Sequence, residues 1–142
     1  MLLCDVNVLV AAHRPDHPHH AAARSWLQAA VNGVEAVVVP DVVASGFVRV
    51  VTHARVFEVP TPLDGAFGFL RELTRGPAVV AMPPVDGLVD RLEAVCREAD
   101  ARGSLVSDAL LATYAVALGA RLVTFDRDFR RFDALSLLEL RA

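Results

Sequence analysis

Apolar residues along the chain fall into short continuous runs that alternate with segments of helical periodicity. The runs are apolar on both faces, which is typical of strands in a parallel sheet covered by helices. They predict about five strands, at residues 2–6, 36–39, 78–82, 121–125 and 136–140.

Between these runs, apolar residues recur every three or four positions and predict helices. One is expected to begin at Asp16 and Pro18 and to end near residue 31; a second is expected after Asp41 as its cap. Further helices are expected after Thr61-Pro62, over residues 86–102, and from a serine cap at position 104 or 107 to residue 119. The alternation predicts one three-layer α/β/α domain over residues 1–142, with a roughly five-stranded, mainly parallel sheet.

Composition narrows the function classes. The 142 residues are 54% hydrophobic, which excludes intrinsic disorder and supplies one domain's core. The net charge is −3, whereas a protein that coats a nucleic-acid duplex carries a marked excess of basic residues. The composition therefore argues against that class of protein. All 14 cationic side chains are arginines, so chemistry that requires a lysine is excluded.

Cysteine use and hydropathy bear on the compartment. The two cysteines, Cys4 and Cys96, are far apart, which excludes a disulfide scaffold or a zinc finger. Asp5 follows too few apolar residues for a signal peptide, and the apolar stretch at 109–120 is too short to span a membrane. We therefore expect a cytoplasmic protein with no membrane partner.

Five aspartates are predicted to follow the carboxyl ends of strands or to open helices. They are Asp5, Asp41, Asp108, Asp126 and Asp128. Because ligand sites in open parallel sheets lie beyond the carboxyl ends of the strands, we expect these carboxylates to converge on one edge.

Each acid also has a purely structural interpretation. Asp41 and Asp108 are natural helix caps, and Asp126 and Asp128 are common turn formers. Asp5 differs, because a carboxylate in an apolar strand costs several kcal/mol unless it is paired or binds a cation. Clustered carboxylates repel one another, and a hard divalent ion such as Mg²⁺ or Mn²⁺ would relieve that repulsion. Such a site suits the hydrolysis of phosphodiesters by activated water.

Three segments together resemble the PIN domain, most closely the VapC-type toxins of bacterial toxin–antitoxin pairs. They read LCDVNVL at residues 3–9, SDALLA at 107–112 and GARLVTFDRDF at 119–129. The resemblance implies a metal-dependent endoribonuclease that is inhibited by a VapB-type antitoxin and is commonly a homodimer.

The resemblance also implies roles for individual residues. Asp5, Asp108 and Asp126 would be the catalytic metal ligands, with Asp128 assisting them. Asn7 would shape the site, and Thr124 would orient ligands or water. The implied ion is Mg²⁺, or Mn²⁺ in its place.

The sequence departs from the family at one position. The family usually carries a glutamate on the helix after the second strand, where this chain has Gly46. Either the metal uses fewer protein ligands and more water, or Asp41 substitutes for the missing carboxylate.

Arginines near Asp126 suggest where RNA binds. Arg121, Arg127, Arg130 and Arg131 cluster there in sequence, either as a solvated surface with local salt bridges or as phosphate contacts. The candidate RNA-binding residues are Arg49, Arg127 and Arg130. Because the chain is acidic overall, binding is expected to be local, which favours a structured RNA such as tRNA or rRNA.

A histidine cluster lies at residues 17–20, with His13 nearby. His17 and His20 fall at helical spacing and could bind a transition metal or act in acid–base chemistry. The favoured interpretation is that these residues line the start of a helix, and a position at the rim of an RNA site is compatible with either role.

Two other function classes compete with the nuclease. Asp-based phosphotransfer, as in haloacid dehalogenase-like phosphatases or receiver domains, is disfavoured because those enzymes use a lysine and the phosphatases have an aspartate where Asn7 stands here. A PIN fold without activity, which only binds RNA or an antitoxin, stays open because of Gly46. The retained aspartates argue against it.

Overall fold

Four parallel strands form the sheet in the computed structural model, which describes residues 1–141. They are β1 (Leu2–Cys4), β2 (Val37–Val38), β3 (Arg121–Thr124) and β4 (Ser136–Glu139), in the order β2-β1-β3-β4. Leu3 of β1 lies opposite Val38 on one side and Leu122 on the other. The predicted parallel α/β class is confirmed, with four strands instead of five.

The strand predicted at residues 78–82 is wrong. This segment pairs with β2 at one position, where Val37 donates its N–H to Ala78 O and accepts one from Val80, both at 2.9 Å. β2 itself is two residues long because Pro40 follows closely, and Pro83-Pro84 deprives the segment of further N–H donors.

Six α-helices cover the sheet. They are α1 (Val6–His13), α2 (His20–Val31), α3 (Asp41–Val51), α4 (Leu63–Thr74), α5 (Leu88–Ala99) and α6 (Leu105–Leu118). Helices α1 to α4 pack on one another, whereas α5 packs on α6 and α6 on β3. The chain moves from β1 past β2 to the segment at Val79 that pairs with Val37 in one direction, and from there back to β3 in the other. Right-handed crossovers therefore place the two helix groups on opposite faces.

Helix α1 was not predicted, because its sequence lacks a polar face. Val8, Leu9, Val10, Ala11 and Ala12 are all buried, so the helix shows no amphipathic period and looks like a continuation of the first strand. In the structure β1 ends at Cys4 and α1 begins at Val6.

Three predicted helix starts are shifted. Pro40 and Pro62, rather than Asp41 and Thr61, precede α3 and α4, and neither helix has a side-chain cap. Helix α2 begins at His20, because Asp16 is bound instead by the side chain of Arg14. The last two predicted helices are α5, shortened to Leu88–Ala99, and α6, where Ser104 is the cap residue but makes no capping hydrogen bond with its side chain.

The core contains few polar side chains, and two of them lie at the carboxyl edge of the sheet. Fully buried apolar residues include Leu3, Leu9, Phe47, Leu122 and Phe129. In the described chain the buried polar side chains are Asp5, Thr61, Thr113 and Thr124. Nowhere in residues 1–141 is a helix both long enough and apolar enough to cross a membrane.

Candidate active site

Asp5 sits at the junction of β1 and α1 and is only 8% exposed. Its Oδ1 accepts the N–H of Val6 at 2.7 Å, which caps α1, and its Oδ2 accepts the hydroxyl of Thr124 at 2.7 Å. Burial raises the pKa of Asp5 to about 6, assisted by the nearby charges of Asp108 and Asp126 and opposed by these two hydrogen bonds. The carboxylate is thus fixed in position and electrostatically unfavourable as an anion.

Thr124 connects Asp5 to the rest of the edge. This fully buried hydroxyl donates to Asp5 and accepts from Asn7 Nδ2 and from the backbone N–H of Asp126, each at 3.0 Å. Asn7 Oδ1 in turn accepts the N–H of Phe125 at 3.2 Å. One hydrogen-bonded unit therefore joins the start of α1 to the end of β3.

Asp108 approaches the same place from the other face of the sheet. It lies in the first turn of α6, half-buried. Its pKa is raised by burial first and then by Asp126 and Asp128, while Arg131 lowers it. Asp5, Asp108 and Asp126 therefore feel one another's charge, although they come from three separate elements.

Asp126 is the cap residue of the short 3₁₀ helix Arg127–Arg131 that follows β3, and Asp128 lies on that helix. Asp126 Oδ1 accepts the N–H of Asp128 at 2.8 Å and caps this turn. Asp128 is exposed, and its backbone carbonyl accepts Nε of Arg131 at 3.1 Å. Asp126 thus has the capping role expected from turn chemistry, and its charge also raises the pKa of Asp5 and Asp108.

The donors suit a hard divalent cation in type and charge, since all are carboxylate or amide oxygens and their carboxylates repel one another. Within residues 1–141, however, no three His, Cys, Asp or Glu side chains already converge closely enough to hold a metal ion. The half-buried and exposed carboxylates would have to turn towards Asp5, with water completing the ligand set, as Mg²⁺ commonly retains.

Gly46 marks a close approach of α3 and α1. Gly46 is buried, and a Cβ on it would lie 2.9 Å from Cγ2 of Val6. Val6 is the residue between Asp5 and Asn7 in the sequence. A larger residue at position 46 would force the two helices apart. Asp41 is exposed at the start of α3 and lines a separate cavity of about 600 Å³ together with Tyr114. It is not among the charges that act on Asp5.

Two of the candidate arginines are paired with glutamates, and two are not. Arg121 pairs with Glu35 at the opposite, amino end of β3, so the sequence cluster does not survive intact. Arg130 binds both carboxylate oxygens of Glu139, one at 2.7 Å. Arg49 and Arg127 are exposed, and neither forms a hydrogen bond or ion pair through its side chain within residues 1–141.

Two side chains that the sequence placed in clusters, without an individual role, lie close to residues of the site. Arg131 acts on the pKa of Asp108, and its place among four neighbouring arginines gave no sign of which one would do so. The ring of His19 stacks on Phe125, a contact between distant segments that no local pattern predicts.

Known proteins resemble this chain along nearly all of its length. The model of the family described as "PIN domain" matches residues 2–135. The chain is 41% identical over 132 residues to Ribonuclease VapC31 of Mycobacterium tuberculosis (strain CDC 1551 / Oshkosh), covering 93% of each protein. It is 40% identical, with the same coverage, to Ribonuclease VapC25 of strain ATCC 25618 / H37Rv.

Solved structures share the fold at low sequence identity. VapBC2 from Rickettsia felis, crystallised with a DNA fragment from its promoter, gives a TM-score of 0.71 at 17% identity and covers 99% of this chain and 98% of that one. VapC20 of Mycobacterium tuberculosis, described as a Sarcin-Ricin loop cleaving toxin, gives 0.65 at 17% identity, covering 92% and 93%. With the family model matching residues 2–135, this chain belongs to the PIN domain family.

Proposed function

We propose that the protein is an endoribonuclease toxin of the VapBC type, which hydrolyses RNA phosphodiesters with the help of Mg²⁺ or Mn²⁺. The observation that carries the proposal is full-length similarity, at about 40% identity, to proteins named VapC ribonucleases. The mutual repulsion of Asp5, Asp108 and Asp126 at one sheet edge supports it, because a divalent cation held by such a cluster can activate water for phosphodiester hydrolysis.

In this proposal Asp5, Asp108 and Asp126 hold the ion, and Asp128 contributes a fourth carboxylate from the exposed 3₁₀ turn. A divalent cation bound there would supply Lewis acidity towards water and the phosphodiester. Thr124 and the N–H of Val6 keep Asp5 pointed at the edge of the sheet. Such fixed donors matter because a misplaced ligand commonly lowers metal affinity or activity by about 10- to 100-fold.

Phosphate contacts come from exposed arginines that form no salt bridge within residues 1–141. Arg127 is exposed beside Asp126, and Arg131 lies close enough to Asp108 to lower its pKa. Arg49 is exposed on α3, the helix that packs on α1. Arg130 is a weaker candidate, because binding RNA would require it to leave Glu139. With a net charge of −3, this contact set favours local recognition of a structured RNA such as tRNA or rRNA.

The partner in this proposal is a VapB-type antitoxin. The fold of VapBC2 from Rickettsia felis matches this fold over nearly the full length of both chains. The similarity to Ribonuclease VapC31 also covers nearly the full length of both proteins. Homodimer formation stays a prediction, which light scattering of the purified chain would test.

Cleavage of total bacterial RNA by the purified, antitoxin-free protein tests the proposal. Reactions with Mg²⁺, with Mn²⁺ and with EDTA are compared with the Asp5→Asn variant, and fragment ends are mapped by primer extension. We expect discrete fragments that disappear with EDTA and with Asp5→Asn. Intact RNA in every reaction, from folded protein, would favour a PIN fold that only binds RNA or the antitoxin. Fragments that persist in Asp5→Asn would contradict the assigned site.

A further inference from the structure

The connection between α1 and α2, residues 14–19, is held in a defined shape near the carboxyl edge of the sheet. Arg14 binds both carboxylate oxygens of Asp16, at 2.9 and 2.6 Å, and donates to the carbonyl of Val59 at 2.8 Å. Beyond this connection, His20 Nδ1 donates to the carbonyl of Ala11 at 2.8 Å. These contacts fix the backbone on both sides of His19.

His19 is thereby placed against the segment that carries Thr124 and Asp126. Its ring lies flat on Phe125, with 4.6 Å between ring centroids and 9° between ring planes. Phe125 is the residue between Thr124 and Asp126, and its N–H is bound by Asn7. The imidazole is thus one side chain away from the hydrogen bonds that hold Asp5.

The ring nitrogens of His19 form no hydrogen bond within residues 1–141. Nδ1 of His19 is buried without a hydrogen bond, and no other buried side-chain nitrogen or oxygen in residues 1–141 is in that state. An unpaired buried N–H is rarer than an unpaired acceptor, so the proton belongs on Nε2. Nε2 also forms no hydrogen bond within the described residues, which leaves a positioned donor for a ligand.

Packing alone does not account for a histidine here. A phenylalanine would stack on Phe125 equally well and would bury no polar atom. His19 also has no role in capping, because α2 begins without a side-chain hydrogen bond from this residue. A donor stacked on the residue between Thr124 and Asp126 is of use to a ligand that carries acceptor oxygens, and RNA phosphates are such a ligand.

We propose that His19 is a positioning residue for RNA, donating its Nε2–H to a phosphate oxygen next to the bond that is cleaved. The stack on Phe125 and the fixed 14–19 connection hold the imidazole in register with the carboxylates. This inference rests on the proposed ribonuclease function, and it assigns to His19 the binding of substrate and not the chemical step.

Three variants separate the donor from the packing. His19→Phe keeps the stack and removes the donor, His19→Gln keeps a side-chain N–H donor, and His53→Ala removes an exposed histidine that does not contact Phe125. Each is made alone for cleavage and in an Asp5→Asn background for binding. Binding is measured by fluorescence anisotropy with a fluorescein-labelled 20-nucleotide RNA. Cleavage is measured under single-turnover conditions with total bacterial RNA and increasing protein.

Loss of a hydrogen bond to a charged group predicts weaker binding by on the order of tenfold. For His19→Phe we therefore expect the dissociation constant and the half-saturating protein concentration each to rise by on the order of tenfold. The plateau cleavage rate should stay within about twofold of wild type. His19→Gln should recover most of the affinity, and His53→Ala should match wild type. An unfolding midpoint for His19→Phe at or above the wild-type value shows that the fold is intact.

Two results would overturn the inference while leaving the ribonuclease proposal in place. One is cleavage and binding by His19→Phe equal to wild type, and the other is a lower plateau rate with unchanged half-saturation. If wild-type protein neither binds nor cleaves RNA, both the inference and the proposed function fail.

Discussion

The candidate site has an inner half and an outer half that are built differently. The inner half is Asp5, Asn7 and Thr124, which are joined by hydrogen bonds of 2.7 and 3.0 Å and belong to elements packed in the core. The outer half is Asp108, Asp126 and Asp128, which lie on the first turn of α6 and on a short 3₁₀ turn and are half-buried or exposed.

The inner half therefore holds its carboxylate in one position, whereas carboxylates of the outer half can change their orientation. The inner carboxylate cannot turn without breaking two hydrogen bonds, whereas exposed side chains change rotamer within nanoseconds. A divalent cation would therefore meet one fixed ligand, Asp5, and the less restrained carboxylates of the outer half. Changes to the inner half should affect both stability and activity, and changes to the outer half mainly activity.

The largest expected contrast is between Asp5→Asn and Asp128→Asn in RNA cleavage. We expect Asp5→Asn to lower the rate constant by at least about 100-fold, because it removes the fixed ligand charge. Asp128→Asn should lower it by less than about tenfold, since that residue is exposed and helps from the periphery. Equal losses in single-turnover assays would contradict the division into two halves.

The inner carboxylate also predicts a pH-dependent stability in metal-free protein. Its folded-state pKa of about 6 lies above the ordinary value of 3.8, so the folded state binds a proton more tightly than the unfolded state. Stability from this group is present below about pH 4 and is lost as pH rises through 6, by up to about 3 kcal/mol. In EDTA, Asp5→Asn should therefore unfold at a higher temperature than wild type at pH 7.5.

This stabilisation by Asp5→Asn should shrink towards zero near pH 4, where the wild-type carboxyl is protonated. Asp90→Asn, at an exposed position on α5, should show no such trend in parallel thermal melts. A stabilisation by Asp5→Asn that does not change with pH would contradict burial of the charge as its cause.

Two buried threonines sharpen the same comparison. Thr124→Val removes the donor to Asp5 and the acceptor of two N–H groups, so we expect a loss of about 1–3 kcal/mol in unfolding free energy and a clear loss of cleavage. Thr113→Val is the matched control, because its hydroxyl donates only to the carbonyl of Ala109 within α6. Urea denaturation of both variants measures the difference, and equal effects would mean that Thr124 has no special role.

The last prediction concerns stability at the contact between α1 and α3. Gly46→Ala places a methyl group 2.9 Å from Val6 Cγ2, and overpacking of this kind costs about 1–3 kcal/mol. Val6→Ala should recover part of this loss in the double variant, because it vacates the contested space. Urea midpoints of the two single variants and the double variant check this coupling, and strictly additive losses would show that the two side chains do not meet.

Much of the fold followed from sequence because the strands are apolar on both faces and turn residues separate them. Helix α1 could not be predicted, since burial on every side erases its period and makes it resemble a strand. The strand predicted at 78–82 does not form, although its residues are apolar as a strand requires. Its partner β2 is only two residues long and leaves it a single pairing position.

For the site, sequence spacing selected the residues better than it described their contacts. Asp5, Asp108 and Asp126 were predicted to meet because carboxyl ends of parallel strands share an edge, and their charges do act on one another. Arg121 lies at the opposite end of β3 because of the direction of that strand. Arg130 is bound by Glu139 because β4 pairs with β3, and neither fact can be predicted from spacing alone. The contact of His19 with Phe125 depends on the path of the 14–19 connection, which no local pattern encodes.

Calorimetric titration of Mn²⁺ into metal-free protein tests most directly whether the two halves form one cation site. Wild type, Asp5→Asn, Asp126→Asn and the control Asp90→Asn would be titrated at the same pH. The account predicts saturable binding by wild type and Asp90→Asn, and its loss in both Asp5→Asn and Asp126→Asn. Binding that is equal in all four proteins, or absent from folded wild type, would contradict it.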